Sequence, residues 1–227
     1  MTACNDFYRY ALYYAPQVGS GLAALGAAWL GHDPETGTAV APEPLIPPDA
    51  LAGLPEARER LVRKARVYGF HATLKAPFRL AEDIDFATLE GAVAALAART
   101  PPVTAPALAL KGDLGFVALQ PSDAAPEIDA LAAACVTELD LMRAPLTGAE
   151  IAKRRRGGLD TQEEQNLRNW GYPYVLDRFR FHMTLSTGVS RMEARQICAA
   201  LEPLFEPHLD SPFHIGEIAL FGDPGGG

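Results

Sequence analysis

Residues 68–78 read YGFHATLKAPF and residues 179–187 read FRFHMTLST. The two stretches share the frame Phe-His-x-Thr-Leu, first at residues 70–74 and again at residues 181–185. If each frame is a β-strand, its histidine and threonine lie on one face, because side chains alternate between the two faces of a sheet. The phenylalanine, the middle residue and the leucine then form the opposite, apolar face. Each frame therefore predicts a half-buried strand whose polar face carries an imidazole and a hydroxyl.

The rest of the chain predicts a mixture of strands and helices around these two motifs. Apolar spacing indicates a helix over residues 86–97, which Pro101 and Pro102 end. The turn sequence KGDLG at residues 111–115 predicts a hairpin. The predicted order is strand, helix, motif strand, helix, hairpin, helix, motif strand, helix and a last strand over FHIGEIALFG. This order lacks the strict alternation of a parallel doubly wound sheet, so we expect an α+β fold of two similar lobes, forming one domain over residues 1–227.

Composition places the chain among ordinary globular proteins. Hydrophobic residues make up 48% of the 227 residues, charged residues make up 21%, and the formal net charge is −8. Proteins that coat long nucleic acids need a basic surface, so this acidic balance argues against such a partner. A small anionic ligand stays compatible with it, because a local cluster of lysine and arginine can bind an anion inside an acidic protein.

Cysteine usage and the N-terminal sequence both favour a cytoplasmic protein. Cys4, Cys135 and Cys198 show no C-x-x-C spacing, which argues against a disulfide framework or a zinc ribbon. The N-terminal stretch has no basic segment followed by an apolar core, so no signal peptide is predicted. The longest run of small apolar residues, GLAALGAAWLG, is too short to span a bilayer, and no membrane partner is expected.

The polar faces of the two motifs together predict a phosphate site. By alternation Lys75 shares the face of His71, while Arg180 and Ser186 share the face of His182. If the two faces meet across a cleft, hydroxyls can bond the phosphate oxygens and the cations can offset their charge. The predicted phosphate-binding residues are Thr73, Thr184, Lys75 and Arg180.

Two histidines supply the proton transfers that hydrolysis of a phosphodiester needs. One neutral imidazole takes a proton from the attacking water, and the other, protonated, gives one to the leaving oxygen. Imidazole suits both tasks, because its ordinary pKa of about 6.5 is near neutral pH. His71 and His182 are the predicted catalytic pair, in either assignment of acid and base, and a small cyclic phosphodiester is a natural substrate. His32, His208 and His214 lack the frame and are interpreted as surface or structural residues.

These residues and their flanks resemble the 2H phosphoesterase superfamily, which includes RNA ligase-like cyclic phosphodiesterases. The flanking strings resemble more closely the branch found with bacterial phosphonate-utilisation genes: RYALYYAP, AAWLG, YGFHATLKAPF, APLTGAE and NWGYPYVLDRFRFHMTLS. The resemblance implies two pseudo-symmetric lobes with antiparallel sheets flanked by helices, and a central cleft that holds the site. It also implies catalysis by His71 and His182 without a metal or other cofactor, phosphate binding by Thr73 and Thr184, and a ribose cyclic phosphate as the leading substrate.

The stretch between the two motifs is longer than in the small RNA-processing members, which puts an RNA substrate in doubt. The excess is assigned to polar helices at residues 147–170, which can cover the cleft. Within them Arg154 and Arg155 are candidates for a second phosphate contact, with a solvated helix face as the alternative. Tyr172 and Tyr174 are candidates for shaping the cleft or stacking on a sugar or base, with packing as the alternative. Among the tyrosines of the first strand, core packing is the default interpretation and lining of the cleft is the alternative; Tyr13 alternates to the face opposite Tyr8, Tyr10 and Tyr14.

Two other functions remain open from the residues. A zinc hydrolase would need a third ligand and closely spaced donors, and neither H-x-H nor H-E-x-x-H occurs in the chain. A non-catalytic module that binds a sugar phosphate or a nucleotide would use the same residues, because the parts of a site do not prove turnover. The presence of both histidines favours the enzyme, since a binding module could have lost one of them.

Overall fold

The structure is a computed structural model that describes residues 7–209 and 212–225. It is an α+β fold in which helices flank a mostly antiparallel sheet, as the sequence predicts. The strands are β1 (Arg9–Tyr14), β2 (Ala72–Phe78), β3 (Val103–Ala105), β4 (Leu108–Lys111), β5 (Ala118–Pro121), β6 (Met183–Thr184), β7 (Phe213–Ile215) and β8 (Ala219–Asp223). The helices are α1 (Gly21–Leu30), α2 (Arg58–Leu61), α3 (Phe86–Arg99), α4 (Pro126–Glu138), α5 (Gly148–Arg155), α6 (Thr161–Trp170) and α7 (Arg191–Phe205).

Six strands form one continuous antiparallel sheet instead of a separate sheet in each half. Their order is β4-β5-β6-β2-β1-β8, and β3 pairs with β7 in a second, two-stranded sheet. The two motif strands, β2 and β6, are neighbours at the centre of the larger sheet. Their position in the middle of the sheet brings two segments that are distant in sequence into direct contact.

The same succession of elements occurs twice along the chain. The first half runs β1, α1, β2, α3, β3 and β4, and the second runs β5, α4, β6, α7, β7 and β8. The short helix α2 precedes the first motif strand, whereas α5 and α6 precede the second. The strand order of the large sheet is symmetric under exchange of these halves, because β4 pairs with β5 as β8 pairs with β1.

Helix α1 packs closely against both motifs from the apolar side of the sheet. The Trp29 indole, fully buried, donates a hydrogen bond of 2.8 Å to the carbonyl oxygen of Leu185. Gly26 of the same helix leaves room for the Phe70 ring, since a Cβ atom there would lie 2.0 Å from a ring carbon. The helix begins at the Ser20 cap, whose hydroxyl accepts from the amide of Ala23, and ends at Gly31 with a φ of 72°. These contacts hold the apolar faces of the two motifs in one core.

Several sequence-based expectations change in detail. The last predicted strand divides into β7 and β8, which pair with different strands, β3 and β1. The predicted hairpin forms between β4 and β5, while Pro106 separates β3 from it. Helices α5 and α6 confirm the polar helical stretch and its interruption between Arg155 and Thr161. The prediction made for Cys4 lies outside the described residues. Within residues 7–209 and 212–225, none of the helices combines the length and apolar character that crossing a bilayer requires.

Candidate active site

The pairing of β2 with β6 places the two motifs side by side. Ala72 lies opposite Met183 in an antiparallel register. Continuing this register by one residue in each direction sets His71 opposite Thr184 and Thr73 opposite His182. Cβ atoms of residues opposite each other in an antiparallel pair are about 4.5–5.5 Å apart. The histidine of each motif therefore neighbours the threonine of the other.

Burial along both motifs confirms the predicted alternation. The apolar positions are at most 4% exposed, and they are Phe70, Ala72, Leu74, Phe181, Met183 and Leu185. Both histidines and both threonines are half-buried, and they alternate with those core residues. The four polar side chains consequently share the face of the sheet opposite the α1 contact.

Both imidazoles are oriented by the same local hydrogen bond. Nδ1 of His71 lies 3.0 Å from the carbonyl oxygen of Gly69, and Nδ1 of His182 lies 2.7 Å from that of Arg180. In each case the partner is the residue two positions earlier. A carbonyl oxygen only accepts, so Nδ1 carries the hydrogen and Nε2 is left with its lone pair in the neutral ring. Nε2 of His71 also lies 3.4 Å from the hydroxyl of Thr73.

A glycine makes the first of these contacts possible. Gly69 has a φ of 72°, the left-handed region that favours glycine, and a Cβ atom there would lie 2.4 Å from the side chain of Pro34. The chain thus turns sharply before His71 and directs the Gly69 carbonyl at the ring. The loop that carries Pro34 packs directly onto this turn.

Both imidazoles favour the neutral form in the ligand-free protein. Burial lowers the pKa of His71 to about 4, and the charge of His182 adds to this against the opposing hydrogen bond of Gly69. Burial likewise lowers the pKa of His182, while the bond to Arg180 opposes the change. The electrostatic effect of His182 on His71 agrees with their proximity across the strand pair. A bound anion would act in the opposite direction and favour the protonated rings.

Aromatic rings flank both histidines. The Tyr13 ring stacks on His71 with centroids 3.8 Å apart and an interplanar angle of 23°. Phe221 of β8 lies 4.9 Å from Tyr13, and Phe116 lies 5.4 Å from His182. Sequence reasoning passed over Phe116 and Phe221. For Tyr13 a signal existed, because it alternates to the face opposite the buried Tyr10 and Tyr14.

The structure does not bring Lys75 to the histidine pair. Leu12 pairs with Lys75 and Tyr13 with Thr73, so β2 has one extra residue, a bulge, between these pairs. The Lys75 ammonium is buried and donates a hydrogen bond of 3.0 Å to the carbonyl oxygen of Val136 in α4. This burial lowers the pKa of Lys75 to about 8. Simple alternation failed here because a bulge interrupts it.

The other residues that alternation assigned to the His182 face are also engaged elsewhere. The Arg180 side chain is exposed and donates to the carbonyl oxygen of Phe179, so only its own carbonyl contacts His182. Burial raises the pKa of Asp129 in α4, and the positive charge of Arg180 partly opposes this rise. Ser186 is buried, where its hydroxyl accepts a hydrogen bond from the amide of Val117.

The candidates in and after α5 fall into two groups. Arg155 forms an ion pair with Glu164 at the protein surface. Arg154 lies over the ring of Tyr172, with its guanidinium carbon 4.9 Å from the ring centroid. Tyr174 is 48% exposed and makes an edge contact with Tyr172. Tyr172 thus connects the candidates Arg154 and Tyr174.

A metal site would need several acidic, thiol or imidazole side chains close together. Within the described residues, no three or more histidine, cysteine, aspartate or glutamate side chains are grouped so that they could hold a metal ion. The two site histidines face hydroxyls, aromatic rings and backbone carbonyls instead.

Comparison with known proteins gives two relatives of the same name. A ribose 1,5-bisphosphate phosphokinase PhnN from Janthinobacterium sp. (strain Marseille) is 41% identical over 187 residues, which are 82% of this chain and 40% of that protein. A ribose 1,5-bisphosphate phosphokinase PhnN from Laribacter hongkongensis (strain HLHK9) is 35% identical over 221 residues, which are 96% of this chain and 49% of that protein. The chain therefore spans less than half the length of these curated relatives.

A family match covers most of the chain and includes the second motif. It extends over residues 73–227, beginning inside the first motif, and the family is described as "Protein of unknown function (DUF1045)". Since this match spans more than half of the sequence, the chain belongs to the DUF1045 family.

Proposed function

We propose that this chain is a metal-independent cyclic phosphodiesterase that hydrolyses a small sugar or nucleotide cyclic phosphate. The observation that carries the proposal is the pairing of the two motifs at the centre of the sheet, with both Nδ1 atoms held by backbone carbonyls. This arrangement leaves two Nε2 atoms on the same open face, where each can exchange a proton with a substrate. A phosphorus atom bound between them would have a base on one side and an acid on the other.

In the proposed reaction the neutral histidine removes a proton from a water molecule through Nε2. The water oxygen forms a bond to phosphorus, and the bond from phosphorus to one ring oxygen breaks. The protonated histidine donates its Nε2 hydrogen to that leaving oxygen, which remains on the sugar as a hydroxyl group. The product is a phosphomonoester, and the two histidines exchange protonation states. Each such proton transfer contributes typically about 10²–10⁴ in rate.

The two threonines are proposed to bind the phosphate oxygens. Thr73 and Thr184 alternate on the same face as the histidines, and each lies opposite the histidine of the other motif. Their hydroxyls can donate to the non-bridging oxygens, whose negative charge strengthens such bonds. That charge would also raise the pKa of both imidazoles and favour the protonated acid. Substrate binding thus prepares the general acid.

The names of the relatives support a ribose phosphate substrate. Both are named for ribose 1,5-bisphosphate, and both are more than twice the length of the part that this chain matches. Kinases that use a phosphate-binding loop place a lysine directly after a glycine, whereas no lysine in this chain follows a glycine. We therefore assign the kinase name to the part of the relatives outside the match, and place this chain in phosphonate breakdown as a hydrolase of a ribose cyclic phosphate.

The repeated succession of elements supports the wider resemblance to 2H phosphoesterases. Each half contributes one motif strand to the centre of the sheet, and the halves exchange their edge strands, β4 and β8, symmetrically. Two pseudo-symmetric lobes within a single domain over residues 1–227 would create this pattern. The proposed cleft lies along the β2–β6 pair that joins them.

A turnover assay with matched histidine variants tests the proposal. The wild-type protein is incubated with EDTA and either ribose 1,2-cyclic phosphate 5-phosphate or a nucleoside 2′,3′-cyclic phosphate. We expect phosphomonoester product from at least one substrate, and a loss of about 10²–10⁴ in kcat for His71→Ala and for His182→Ala. His214→Ala is the control, because His214 also contacts a threonine, Thr104 at 3.1 Å, but on the separate β3–β7 sheet.

Two results would contradict the proposal. Full activity in either site variant would exclude the two-histidine mechanism. Absence of product from both substrates, together with tight binding of one of them, would instead identify a non-catalytic binding module. Circular dichroism of each variant shows that the loss does not come from unfolding.

A further inference from the structure

Arg154 of α5 stacks on an aromatic ring. Most arginines of the neighbouring segments form ion pairs, for example Arg155 with Glu164 and Arg178 with Asp160. Among the described residues, no carboxylate lies within salt-bridge distance of Arg154. The guanidinium rests on the face of Tyr172 instead, 4.9 Å from the ring centroid. Its hydrogen-bonding edge is therefore available to a ligand.

The nearest acidic side chain on the same helix is already engaged. Glu150 precedes Arg154 by one helical turn, and its negative charge acts to raise the pKa of Arg154. Its carboxylate, however, accepts hydrogen bonds from Arg79 and from both the amide and the hydroxyl of Thr147. The N-terminal cap of α5 thus engages this carboxylate.

A hydrogen bond joins α5 to the end of the β1–β2 pair. Arg79 follows Phe78, which pairs with Tyr10 of β1, and its guanidinium donates 3.2 Å to Glu150, one helical turn before Arg154. Further along β1, the Tyr13 ring stacks on His71 at 3.8 Å. Arg9 lies on the same face of β1 as Tyr13, because side chains at even spacing along a strand share a face. Its positive charge acts to lower the pKa of Arg154. The Arg9 guanidinium consequently shares the strand face of Tyr13, and α5 brings Arg154 toward the same end of the β1–β2 pair.

Holding these two cations close together is unfavourable without an anion. Burial lowers the pKa of Arg154 and the charge of Arg9 adds to this, while Tyr172 and Glu150 act in the opposite direction. Arg9 forms an ion pair with Asp223 at 2.6 Å, whereas no carboxylate among the described residues forms an ion pair with Arg154. A guanidinium whose planar edge is free binds phosphate oxygens in a two-pronged geometry, and such a ligand would relieve the repulsion.

We propose that Arg154, stacked on the Tyr172 ring, binds a second phosphate group of the substrate, separate from the cyclic phosphate between the histidines. This inference rests on the proposed function and specifies its substrate class as a sugar that carries both a cyclic phosphate and a terminal phosphomonoester. Arg154 is thus the residue that selects a doubly phosphorylated sugar over a singly phosphorylated one. The polar helices before the second motif carry this selectivity.

The test compares one substrate with and without the terminal phosphate. Ribose 1,2-cyclic phosphate and its 5-phosphorylated form are assayed with the wild-type protein and with Arg154→Met, which keeps the chain length and removes the charge. We expect Arg154→Met to lower kcat/KM for the 5-phosphorylated substrate by about 10–100-fold, mainly through KM, as for loss of a charged hydrogen bond. Its kcat/KM for the unphosphorylated substrate should stay at the wild-type value. Arg154→Lys should restore part of the selectivity.

The control variant is Arg168→Met, which removes an exposed arginine of the next helix that is paired with Glu164. It should leave both substrates unaffected. An equal loss for the two substrates in Arg154→Met would indicate a structural role and overturn the proposal. No loss for either substrate would overturn it as well.

A binding measurement separates this proposal from the proposed function. Calorimetric titration compares ribose 5-phosphate with ribose on the wild-type protein and on Arg154→Met. Binding of ribose 5-phosphate that depends on Arg154 supports the second subsite even if neither cyclic substrate is hydrolysed. Equal binding by the two proteins, or no binding by the wild type, contradicts the subsite whatever the outcome of the hydrolysis assay.

Discussion

Ala72 of β2 and Met183 of β6 lie opposite each other at the centre of the sheet, and both are fully buried. Because each is flanked by a histidine and a threonine, this one pair sets the relative position of all four polar side chains of the motifs. In this antiparallel register, each histidine lies opposite the threonine of the other motif. A shift of one residue would turn one set of polar side chains into the core. The candidate site therefore depends on the packing of two apolar side chains on the opposite face.

Replacing Tyr13 with alanine should lower kcat by about tenfold, since an aromatic contact is worth about 0.5–1.5 kcal/mol. The stacked Tyr13 ring restricts the rotation of His71, which is also oriented by the hydrogen bond to Gly69. Tyr13→Phe keeps the ring and should retain the wild-type kcat. Steady-state kinetics on the cyclic phosphate measure both variants. Equal activity of the alanine and phenylalanine variants would show that the stack does not position His71.

The pH dependence of kcat/KM should be bell-shaped and centred below pH 6.5. One histidine must be neutral and the other protonated, so activity falls below the pKa of the base and above the pKa of the acid. In the free protein the pKa of His71 is about 4 and that of His182 is lowered from its ordinary value, so both limbs move to acidic pH. The kcat profile should lie at higher pH, because the bound phosphate raises the pKa of both rings.

Rates measured from pH 4 to pH 9 check this expectation. Since coupled groups titrate as a pair, the two apparent pKa values belong to the pair of histidines. A kcat/KM profile centred above pH 6.5, or one that is flat across the imidazole range, would contradict the proposed acid–base pair.

Lys75 and Thr73 should respond differently to substitution, although both were predicted to bind phosphate. Thr73→Val should lower kcat/KM by about 10–100-fold, the range for a hydrogen bond to a charged group. Lys75→Met should leave KM unchanged, because the ammonium is bonded to Val136 inside the core. Kinetic measurement of both variants on the same cyclic phosphate decides between the two positions. A large rise in KM for Lys75→Met would indicate that this lysine contacts the phosphate after all.

Two glycine-to-alanine substitutions should change stability in opposite directions. Gly26→Ala forces a methyl group into the ring of Phe70, so it should lower the free energy of unfolding by about 1–3 kcal/mol. Gly91→Ala is the matched helical control, because no atom lies within 4 Å of its Cβ position. It should raise the free energy of unfolding by about 0.5–1 kcal/mol, through better helix propensity. Urea unfolding curves of the two variants measure both effects, and destabilisation by both would contradict the assigned close contact.

Much of the local structure could be predicted from periodicity and turn residues. Helix α3 follows the apolar spacing before Pro101, and α7 forms where the predicted order has a helix after the second motif. The alternation of the two motifs predicted a half-buried polar face for His71 and His182, and both are half-buried at positions that directly precede β2 and β6. These features depend on neighbours within a few residues, so a single stretch of sequence contains the information.

Other features depend on contacts between distant segments. The bulge in β2 that turns Lys75 toward α4 has no glycine to mark it, so alternation predicted the wrong face for this side chain. The Tyr13–His71 stack arises from the pairing of β1 with β2. The contact between Arg154 and Tyr172 similarly depends on how α5 packs against residues after α6.

The sequence by itself determined that two identical polar frames lie on half-buried strands, because period-two alternation is a local property of the backbone. Only the tertiary structure decided that these strands are neighbours in one sheet, with Ala72 opposite Met183. Strand order and register come from the burial of apolar faces contributed by helices far apart in the chain, and no local period encodes that choice. For the same reason, only the tertiary structure placed the Arg154 guanidinium over the Tyr172 ring.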